Sequence, residues 1–367
     1  MFNRTDDKIT SSQAAVFLTN TLLGAGILSL PRNVTQAMET PDAWLTILLG
    51  GAAMLGIVLL MVKLCLHFPG QTVFQYAGKI IGKIPGKLVG MLLILYFIVV
   101  AGFEIRTLAE VTTFFLLEGT PSEAIVLPFI WAGVYLVLGG INSIARVFQI
   151  VLPISILVLL VSFGVSLRLF DINHLRPVLG SGFLPILRGM KTAILIYAGC
   201  EVILTLTAFL QEPKQAVKAM LGGIAIPIFL YLLTVVFVIG CLSVDSVVTS
   251  TWPTIDLVRS FEITGFFIER LEFPFMVIWL MQMFCNFSSF FFQASLGISQ
   301  IFNVRLKPVI FLLAPAIFIA TMLPRSLQDV FTLGDSIGYI GLGMFFLLPL
   351  LLTLIWMIRK KGTKGHA

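Results

Sequence analysis

The sequence has little charge for its length. Of its 367 residues only 11% are Asp, Glu, Lys or Arg, and 58% are apolar, whereas soluble domains contain roughly 25% charged residues. So few charges cannot cover a water-exposed surface of this size. The shortage excludes a soluble enzyme, a nucleic-acid-binding module and a disordered scaffold, and it predicts a polytopic membrane protein.

Cysteine and histidine are also scarce, with four and three residues respectively. The cysteines form no C-x-x-C pair and the histidines lie far apart, so neither a disulfide framework nor a metal site is expected. The sequence contains neither a phosphate-binding G-x-x-x-x-G-K-[ST] loop nor an H-E-x-x-H pair. We therefore predict no catalytic residues, no metal and no cofactor, and we do not expect an enzyme.

What the sequence has in abundance is long apolar stretches. A helix needs about 20 apolar residues to cross a bilayer, and ten stretches reach or approach that length. These predict an all-α membrane protein with ten transmembrane helices in one polytopic domain, residues 1–367. The predicted spans are 12–36, 42–64, 88–117, 122–141, 147–169, 183–209, 219–242, 272–303, 306–324 and 336–358.

The distribution of Lys and Arg predicts the orientation of the chain. With the N-terminus in the cytoplasm, the inner segments hold most of the 24 basic residues, as the positive-inside rule requires. An even number of spans then places the C-terminus in the cytoplasm too. The loop 170–182 and its flanks argue for the opposite orientation. We therefore interpret the net charge of +6 as a signal of orientation in a lipid bilayer, and we expect no nucleic-acid partner.

Two spans contain small residues near their centres. The first contains GAG at 24–26, and the sixth contains YAGCE at 197–201. Small residues can simply allow close helix packing. They can also mark a helix break, where free amides bind a carboxylate and free carbonyls bind a cation or an amine. Because the two segments open the two halves of an inverted repeat, about 12–169 and 183–358, we favour a ligand site.

Three charged residues lie within the predicted third span, where a central charge costs about 2.5–3.5 kcal/mol. Arg106 and Glu110 are four residues apart, so that they can pair on one helix face. Glu104 points to the opposite side and continues a row with Tyr96 and Val100. That row is either the wall of a polar cavity or ordinary interhelical packing.

The predicted eighth span carries a polar row on an aromatic helix. Its polar residues recur at spacings of three or four, and they are Gln282, Asn286, Ser289 and Gln293. Within lipid such residues face protein, either as interhelical hydrogen bonds or as a cavity lining. The preceding outer loop, 243–271, is long enough to form a lid or a docking surface.

Five short segments invite comparison with known families: LGAGILSLPR (23–32), FFLLEGTP (114–121), FDINHLRPVLG (170–180), TWPTI (251–255) and FFIER (266–270). Together they resemble the B subunit of nutrient germinant receptors of endospore-forming bacteria. This is the endospore germination permease family of the amino acid–polyamine–organocation superfamily, whose sixth-helix motif is similar to YAGCEV at 197–202.

The resemblance implies a LeuT-like fold, a 5+5 inverted repeat with broken helices 1 and 6. It also implies a multi-pass protein of the spore inner membrane that binds a small nutrient, usually an amino acid. Such a protein works with the A and C subunits of the receptor to trigger germination, and it senses the nutrient without net transport.

The resemblance further implies which residues contact the ligand. In this resemblance the backbone at 24–26 faces the ligand's carboxylate, and Ala198 and Gly199 form the opposing wall. The side chains that shape the rest of the pocket are Tyr96, Val100, Asn286 and Phe290. Two acids are candidates for a polar, proton-accepting or gating role. Glu104 is one because it continues the row of Tyr96 and Val100, and Glu201 is the other because it follows the break in the sixth span. The predicted ligand-binding residues are Gly24, Ala25, Gly26, Tyr96, Val100, Tyr197, Ala198, Gly199, Asn286 and Phe290.

Three functions remain open. The first is a ligand-sensing receptor subunit, and the second is an amino-acid permease, working as a proton- or sodium-coupled symporter or as an exchanger. The third is an assembly scaffold with a vestigial pocket. Some related permeases place a Lys in the fifth span at a cation position, whereas this fifth span has only Arg168 at its edge, so ion coupling stays open. The sequence does not name the nutrient.

Overall fold

The chain folds into a bundle of helices, and the computed structural model describes residues 7–260 and 272–364. The first half of the bundle contains seven α-helices. Their bounds are α1 Ser11–Leu22, α2 Gly26–Met38, α3 Ala43–Leu66, α4 Val73–Ile81, α5 Lys83–Phe115, α6 Ser122–Leu138 and α7 Gly140–Ser166.

The second half follows a connection that contains a short 3₁₀ turn at Ile172–Leu175. A π-helical segment, Gly343–Leu347, joins the last two α-helices into one element. The bounds in this half are α8 Leu184–Leu195, α9 Ile203–Leu206, α10 Ala216–Leu242, α11 Val244–Thr249, α12 Pro253–Arg259, α13 Glu272–Phe302, α14 Leu306–Met322, α15 Leu327–Leu342 and α16 Leu348–Lys364.

The helices account for the ten predicted spans. Six helical elements are long and apolar enough to cross a membrane, and two further spans are pairs of helices bent at a short break. The remaining two, α6 and α14, have 17 residues each, which at 1.5 Å per residue gives a length of about 25 Å. The all-α membrane fold with broken first and sixth spans is therefore confirmed.

The last span differs from its predicted bounds, 336–358. Its helix begins at Leu327, nine residues earlier in the chain. Ser326 and Asp329 form a capping box there, in which the Ser326 side chain accepts from the Asp329 amide and the Asp329 carboxylate accepts from the Ser326 amide. The first turns of α15 carry polar residues, so hydropathy alone places the start of this span too late.

The eighth span, α13, forms the centre of the bundle. Some 72% of its apolar stretch is buried inside the protein, compared with 22% for the last span. Phe287, Phe290 and Phe291 on this helix are almost completely buried. A central helix surrounded by protein can carry polar side chains that lipid would exclude, and the polar row predicted on it lies in that protected position.

The short helix α4 packs directly against the start of α5. At Gly86 a Cβ atom would lie 2.4 Å from Gly78 Cα and 2.5 Å from Gly78 N. Contacts that close are possible only when neither backbone carries a side chain at that point. The apolar face of α4, which includes Tyr76 and Ile80, is buried, and the Tyr76 ring stacks on Phe68 beyond the end of α3.

We predict that Gly86→Ala destabilises the protein by about 1–3 kcal/mol, the usual cost of overpacking, because the new methyl group meets backbone that cannot rotate away. The control is Gly56→Ala in α3, where nothing lies within 4 Å of the added Cβ. Thermal unfolding of the two purified variants checks this. Equal melting temperatures would show that α4 can move away from the added methyl group without a loss of stability.

Candidate functional site

The first span is interrupted between Leu22 and Gly26, and its two halves are bent by 57°. Carbonyls in the last turn of α1 lose helical partners at such a break. In a bilayer they must find other donors within the protein. Side chains of α10 and α13 supply them: the carbonyl of Asn20 accepts from Gln282 Nε2 (3.0 Å), that of Thr21 from Asn286 Nδ2 (2.8 Å) and that of Leu22 from the Tyr231 hydroxyl (2.5 Å).

An acid from α5 lies at the other side of the same break. Glu104 Oε2 accepts a hydrogen bond from the Ala25 amide at 3.3 Å, at the N-terminus of α2, where the helix dipole favours a negative charge. Arg106 and Glu110 pair separately at 2.6 Å, as predicted. Glu104 thus leaves the helix on a different side from this ion pair and reaches the broken span.

Gly24 lies beneath two side chains that converge over the break. A Cβ atom at this position would lie 2.1 Å from Asn286 Nδ2 and 2.9 Å from Glu104 Oε1. Asn286 cannot easily move away, because the same Nδ2 atom donates to the Thr21 carbonyl. The absent side chain of Gly24 is therefore what allows the amide and the carboxyl group to approach the backbone.

The sixth span is interrupted as well, and its halves, Leu184–Leu195 and Cys200–Phe209, are bent by 49°. Gly199 adopts a φ of +117°, and a Cβ there would lie 3.0 Å from the carbonyl oxygen of Thr21. Its amide donates to Glu201 Oε2 at 2.8 Å. The two breaks therefore touch each other near the middle of the bundle.

A cavity of about 470 Å³ opens beside the first break. Both polar and apolar side chains line it, and Glu104 is among them. Seven of the ten residues predicted to bind a ligand also lie in its lining, namely Gly24, Ala25, Gly26, Val100, Ala198, Asn286 and Phe290.

Four other predicted site residues are buried but outside this lining. Tyr197 packs its ring against Tyr231, with 5.5 Å between the centroids. The hydroxyl of Tyr96 faces the carboxyl group of Glu201, although neither makes a hydrogen bond of standard geometry to the other within the described residues. Gly199 supports the contact between the breaks. A direct contact of these residues with a ligand stays a prediction.

Several lining residues were not predicted from the sequence. They lie on two helices, α2 and α15, together with the aromatic residue that precedes α12. These are Arg32, Asn33 and Gln36 of α2, Gln328, Phe331, Asp335 and Tyr339 of α15, and Trp252.

Two sequence signals could have found most of these residues. On α2 the spacing of Gly26, Ser29, Arg32 and Gln36 is three or four residues, which continues one helix face beyond the break. On α15 the capping box at Ser326 marks a helix that begins before the apolar stretch.

The segment 334–338 of α15 also matches the G-x-S-x-G pattern of hydrolases. In those enzymes the serine lies on a sharp turn between a strand and a helix. Ser336 instead lies within a continuous helix, and its hydroxyl donates to the Thr332 carbonyl at 2.9 Å. The pattern therefore does not form a nucleophile elbow.

The polar row of α13 mainly forms hydrogen bonds to spans 1 and 6, and only one of its four residues lines the cavity. Ser289 accepts from the Thr21 hydroxyl at 2.8 Å, and Gln293 Oε1 accepts from the Thr205 hydroxyl at 2.6 Å. Gln282 is fully buried and donates to the first break. Of this row only Asn286 both donates to a break and lines the cavity.

The outer loop predicted at 243–271 covers the second half of the broken first span. Its helix α12 is buried on one side, and the Thr254 hydroxyl donates to the Ile27 carbonyl at 2.9 Å. Trp252, just before α12, reaches the cavity. Residues 261–271 of this loop, with the segment FFIER at 266–270, lie outside the described residues.

Comparison with known sequences gives one consistent family. The sequence profile described as "Spore germination protein" matches residues 8–330. Spore germination protein YndE of Bacillus subtilis (strain 168) is 43% identical over 364 residues, which cover 99% of this chain and all of the relative. Spore germination proteins A2 and B2 of the same organism are 37% and 35% identical, and each alignment covers at least 97% of both chains.

Comparison with solved structures gives the fold. MhsT in complex with L-phenylalanine superimposes with a TM-score of 0.71 at 13% identity, over 93% of this chain and 87% of that protein. A Na⁺-coupled sialic acid symporter has a TM-score of 0.66 at 13% identity, covering 92% and 77% of the two chains. Mhp1, a nucleobase-cation-symport-1 family transporter with bromovinylhydantoin bound, has a TM-score of 0.64 at 15% identity, covering 93% and 78%. These are LeuT-fold proteins, so the predicted fold class is confirmed.

We predict that Tyr231→Phe destabilises the protein by about 0.5–1.5 kcal/mol, the usual net value of one hydrogen bond. The Leu22 carbonyl loses its side-chain donor but keeps the Gly24 amide at 2.9 Å. Tyr135→Phe is the matched control, since Tyr135 is 84% exposed. Melting temperatures of both variants in detergent test the prediction. If Tyr231→Phe and Tyr135→Phe have the same melting temperature, the Tyr231 hydroxyl does not stabilise the broken span.

Proposed function

The chain belongs to the spore germination protein family, and we propose that it is the nutrient-sensing subunit of a spore germinant receptor. Its ligand in this proposal is an amino acid, which binds in the cavity between the two helix breaks and triggers germination. The chain works with the A and C subunits of the receptor in the inner spore membrane. Both of its termini lie in the cytoplasm.

The observation that carries the proposal is the contact of the two breaks beside the cavity. Irregular backbone within a membrane is tolerated only where it is buried in protein or lines a cavity. Here three carbonyls in the last turn of α1 accept from side chains, whereas Glu104 and the Gly24 backbone line the cavity. A polar backbone and an acid in the wall of one cavity suit a small ligand with charged groups.

The rest of the lining supports a small or medium neutral side chain. Val100, Ala198 and Phe290 form an apolar wall next to the break, which suits an aliphatic or aromatic group better than a charged one. Two solved relatives in fold hold compact organic molecules, L-phenylalanine in one case and bromovinylhydantoin in the other. Molecules of this class are consistent with the volume of the cavity, about 470 Å³.

Sensing requires that the ligand favours one of two conformations of the bundle. The breaks at Gly24 and Gly199 let the halves of spans 1 and 6 move relative to each other without unravelling whole helices. A ligand that bridges these halves binds one arrangement more tightly than the other. The difference in binding free energy shifts the bundle toward that arrangement, and the partner subunits respond to the shift.

A second candidate function is an amino-acid symporter or exchanger. The observation in its favour is that the solved relatives in fold include a Na⁺-coupled symporter and a nucleobase–cation symport family transporter. The fold by itself is compatible with either function. Uptake of labelled amino acids into proteoliposomes that contain this chain alone would favour transport and weaken the sensing proposal.

We predict that at least one of the twenty amino acids raises the melting temperature of the purified full-length chain. A ligand at 100 times its Kd stabilises a protein by about 2.7 kcal/mol, which a thermal-shift assay detects. D-enantiomers of the active compounds serve as controls. A screen in which none of the twenty L-amino acids stabilises the chain contradicts the proposal.

We further predict that spores with Gly24→Trp lose the response to the nutrient, because the indole fills the space between Asn286 and Glu104. The half-maximal nutrient concentration should rise at least about tenfold, equivalent to 1.4 kcal/mol. Gly222→Trp is the control, since nothing lies within 4 Å of a Cβ there. Immunoblots of spore membranes verify that both variants are present. An unchanged dose response for Gly24→Trp rules out the assigned site.

A further inference from the structure

Within the described part of the chain, Glu104 is a cavity-lining acid without a cationic partner. It is only 6% exposed, yet it lines the cavity, and Oε1 lies over Gly24. Its Oε2 atom accepts a hydrogen bond from the Ala25 amide. Among the residues that the structure describes, no Lys, Arg or His nitrogen lies within 4.0 Å of it. A buried carboxylate needs a compensating charge, and the cavity is open to one.

The break offers few other acceptors for a ligand's ammonium group. The carbonyls of Asn20, Thr21 and Leu22 already accept from protein side chains. An ammonium group is a donor with three hydrogens and no acceptor. Of these three residues only Leu22 lines the cavity, and its carbonyl oxygen already accepts from both the Tyr231 hydroxyl and the Gly24 amide, which occupies its two lone pairs. The Oε1 atom of Glu104 lies in the cavity wall and is the acceptor that an ammonium group can reach there.

The same acid disfavours a second carboxylate at this point. Glu104 Oε2 already occupies the Ala25 amide at the N-terminus of α2, the position that would otherwise attract an anion. Two like charges this close in a buried site repel each other strongly. A ligand's carboxylate is therefore better placed away from Glu104, and its positive end is better placed next to it.

We propose that Glu104 binds the ammonium group of the ligand, so that the cavity selects compounds with a free primary ammonium group beside a small or medium apolar body. This inference rests on the proposed function in one respect, namely that the cavity is the ligand site. It reverses the orientation that the resemblance implies, in which the carboxylate faces the backbone at 24–26. Val100 and Phe290 contact the apolar body.

The test uses matched compounds built on three amino acids, L-alanine, L-valine and L-leucine. For valine the set is L-valine, isobutylammonium, which lacks the carboxylate, 3-methylbutanoate, which lacks the ammonium group, and N-acetyl-L-valine. Corresponding sets are made for alanine and leucine. Each compound is titrated against the purified full chain, and the melting temperature gives the affinity. Sodium chloride is compared with potassium chloride in parallel.

We expect the amino acid and the alkylammonium of at least one set to stabilise the wild type, whereas the carboxylate and the N-acetyl compound do not. Glu104→Gln, which keeps an oxygen for the Ala25 amide, should weaken binding of both at least tenfold. Glu118→Gln, an exposed acid, should not change it. Glu104→Asp retains the charge and should recover part of the affinity. The wild-type series stands even if a Glu104 variant fails to fold.

Several results would overturn the inference. Stabilisation by 3-methylbutanoate but not by isobutylammonium, or equal affinities for the wild type and Glu104→Gln, would place another group against Glu104. Stabilisation by sodium that Glu104→Gln abolishes would identify a metal-cation site. No stabilisation by any member of the three sets would also overturn it.

The proposed function fails by a different result. If alkylammonium ions bind through Glu104 but none of the twenty amino acids stabilises the chain, the inference stands and the amino-acid proposal falls. If amino acids bind equally well to Glu104→Gln, the proposed function stands and the inference falls.

Discussion

A broken helix inside a bilayer is stable only if the protein itself bonds the backbone groups that the break releases. The structure depends on this constraint at the first span. Tyr231 of α10 and Gln282 and Asn286 of α13 donate to carbonyls in the last turn of α1, and Glu104 of α5 accepts from the first amide after the break. The backbone groups released by the break thus bind α5, α10 and α13 to it through hydrogen bonds.

The same constraint explains why polar residues gather on the most buried helix. Ser289 and Gln293 bond to threonines of spans 1 and 6, so α13 joins the two interrupted spans through side chains. A polar side chain facing lipid would be costly, whereas between helices it is an interhelical bond. Glu104 differs from these residues, because one of its oxygens faces a cavity and not a protein donor. That difference is the basis of the ligand contact proposed for Glu104.

Much of the fold could be predicted from the sequence because its signals are local. Ten apolar stretches, and small residues at 24–26 and 197–201, were sufficient for the spans and both breaks. The pair of Arg106 and Glu110 followed from a spacing of four on a helix. The start of α15 did not follow from hydropathy, because its first turns are polar and its helix begins at a capping box instead.

The composition and the positions of small residues determined by themselves that this is a ten-span helical membrane protein with two interrupted spans. Only the tertiary structure decided which polar groups meet at the interruptions. Tyr231 and Leu22 lie 209 residues apart, and Asn286 and Thr21 lie 265 apart. Periodicity shows on which face of its own helix a side chain lies. Which helix that face meets depends on how all the spans pack together, and so the lining of the cavity and the isolation of Glu104 appear only in the folded bundle.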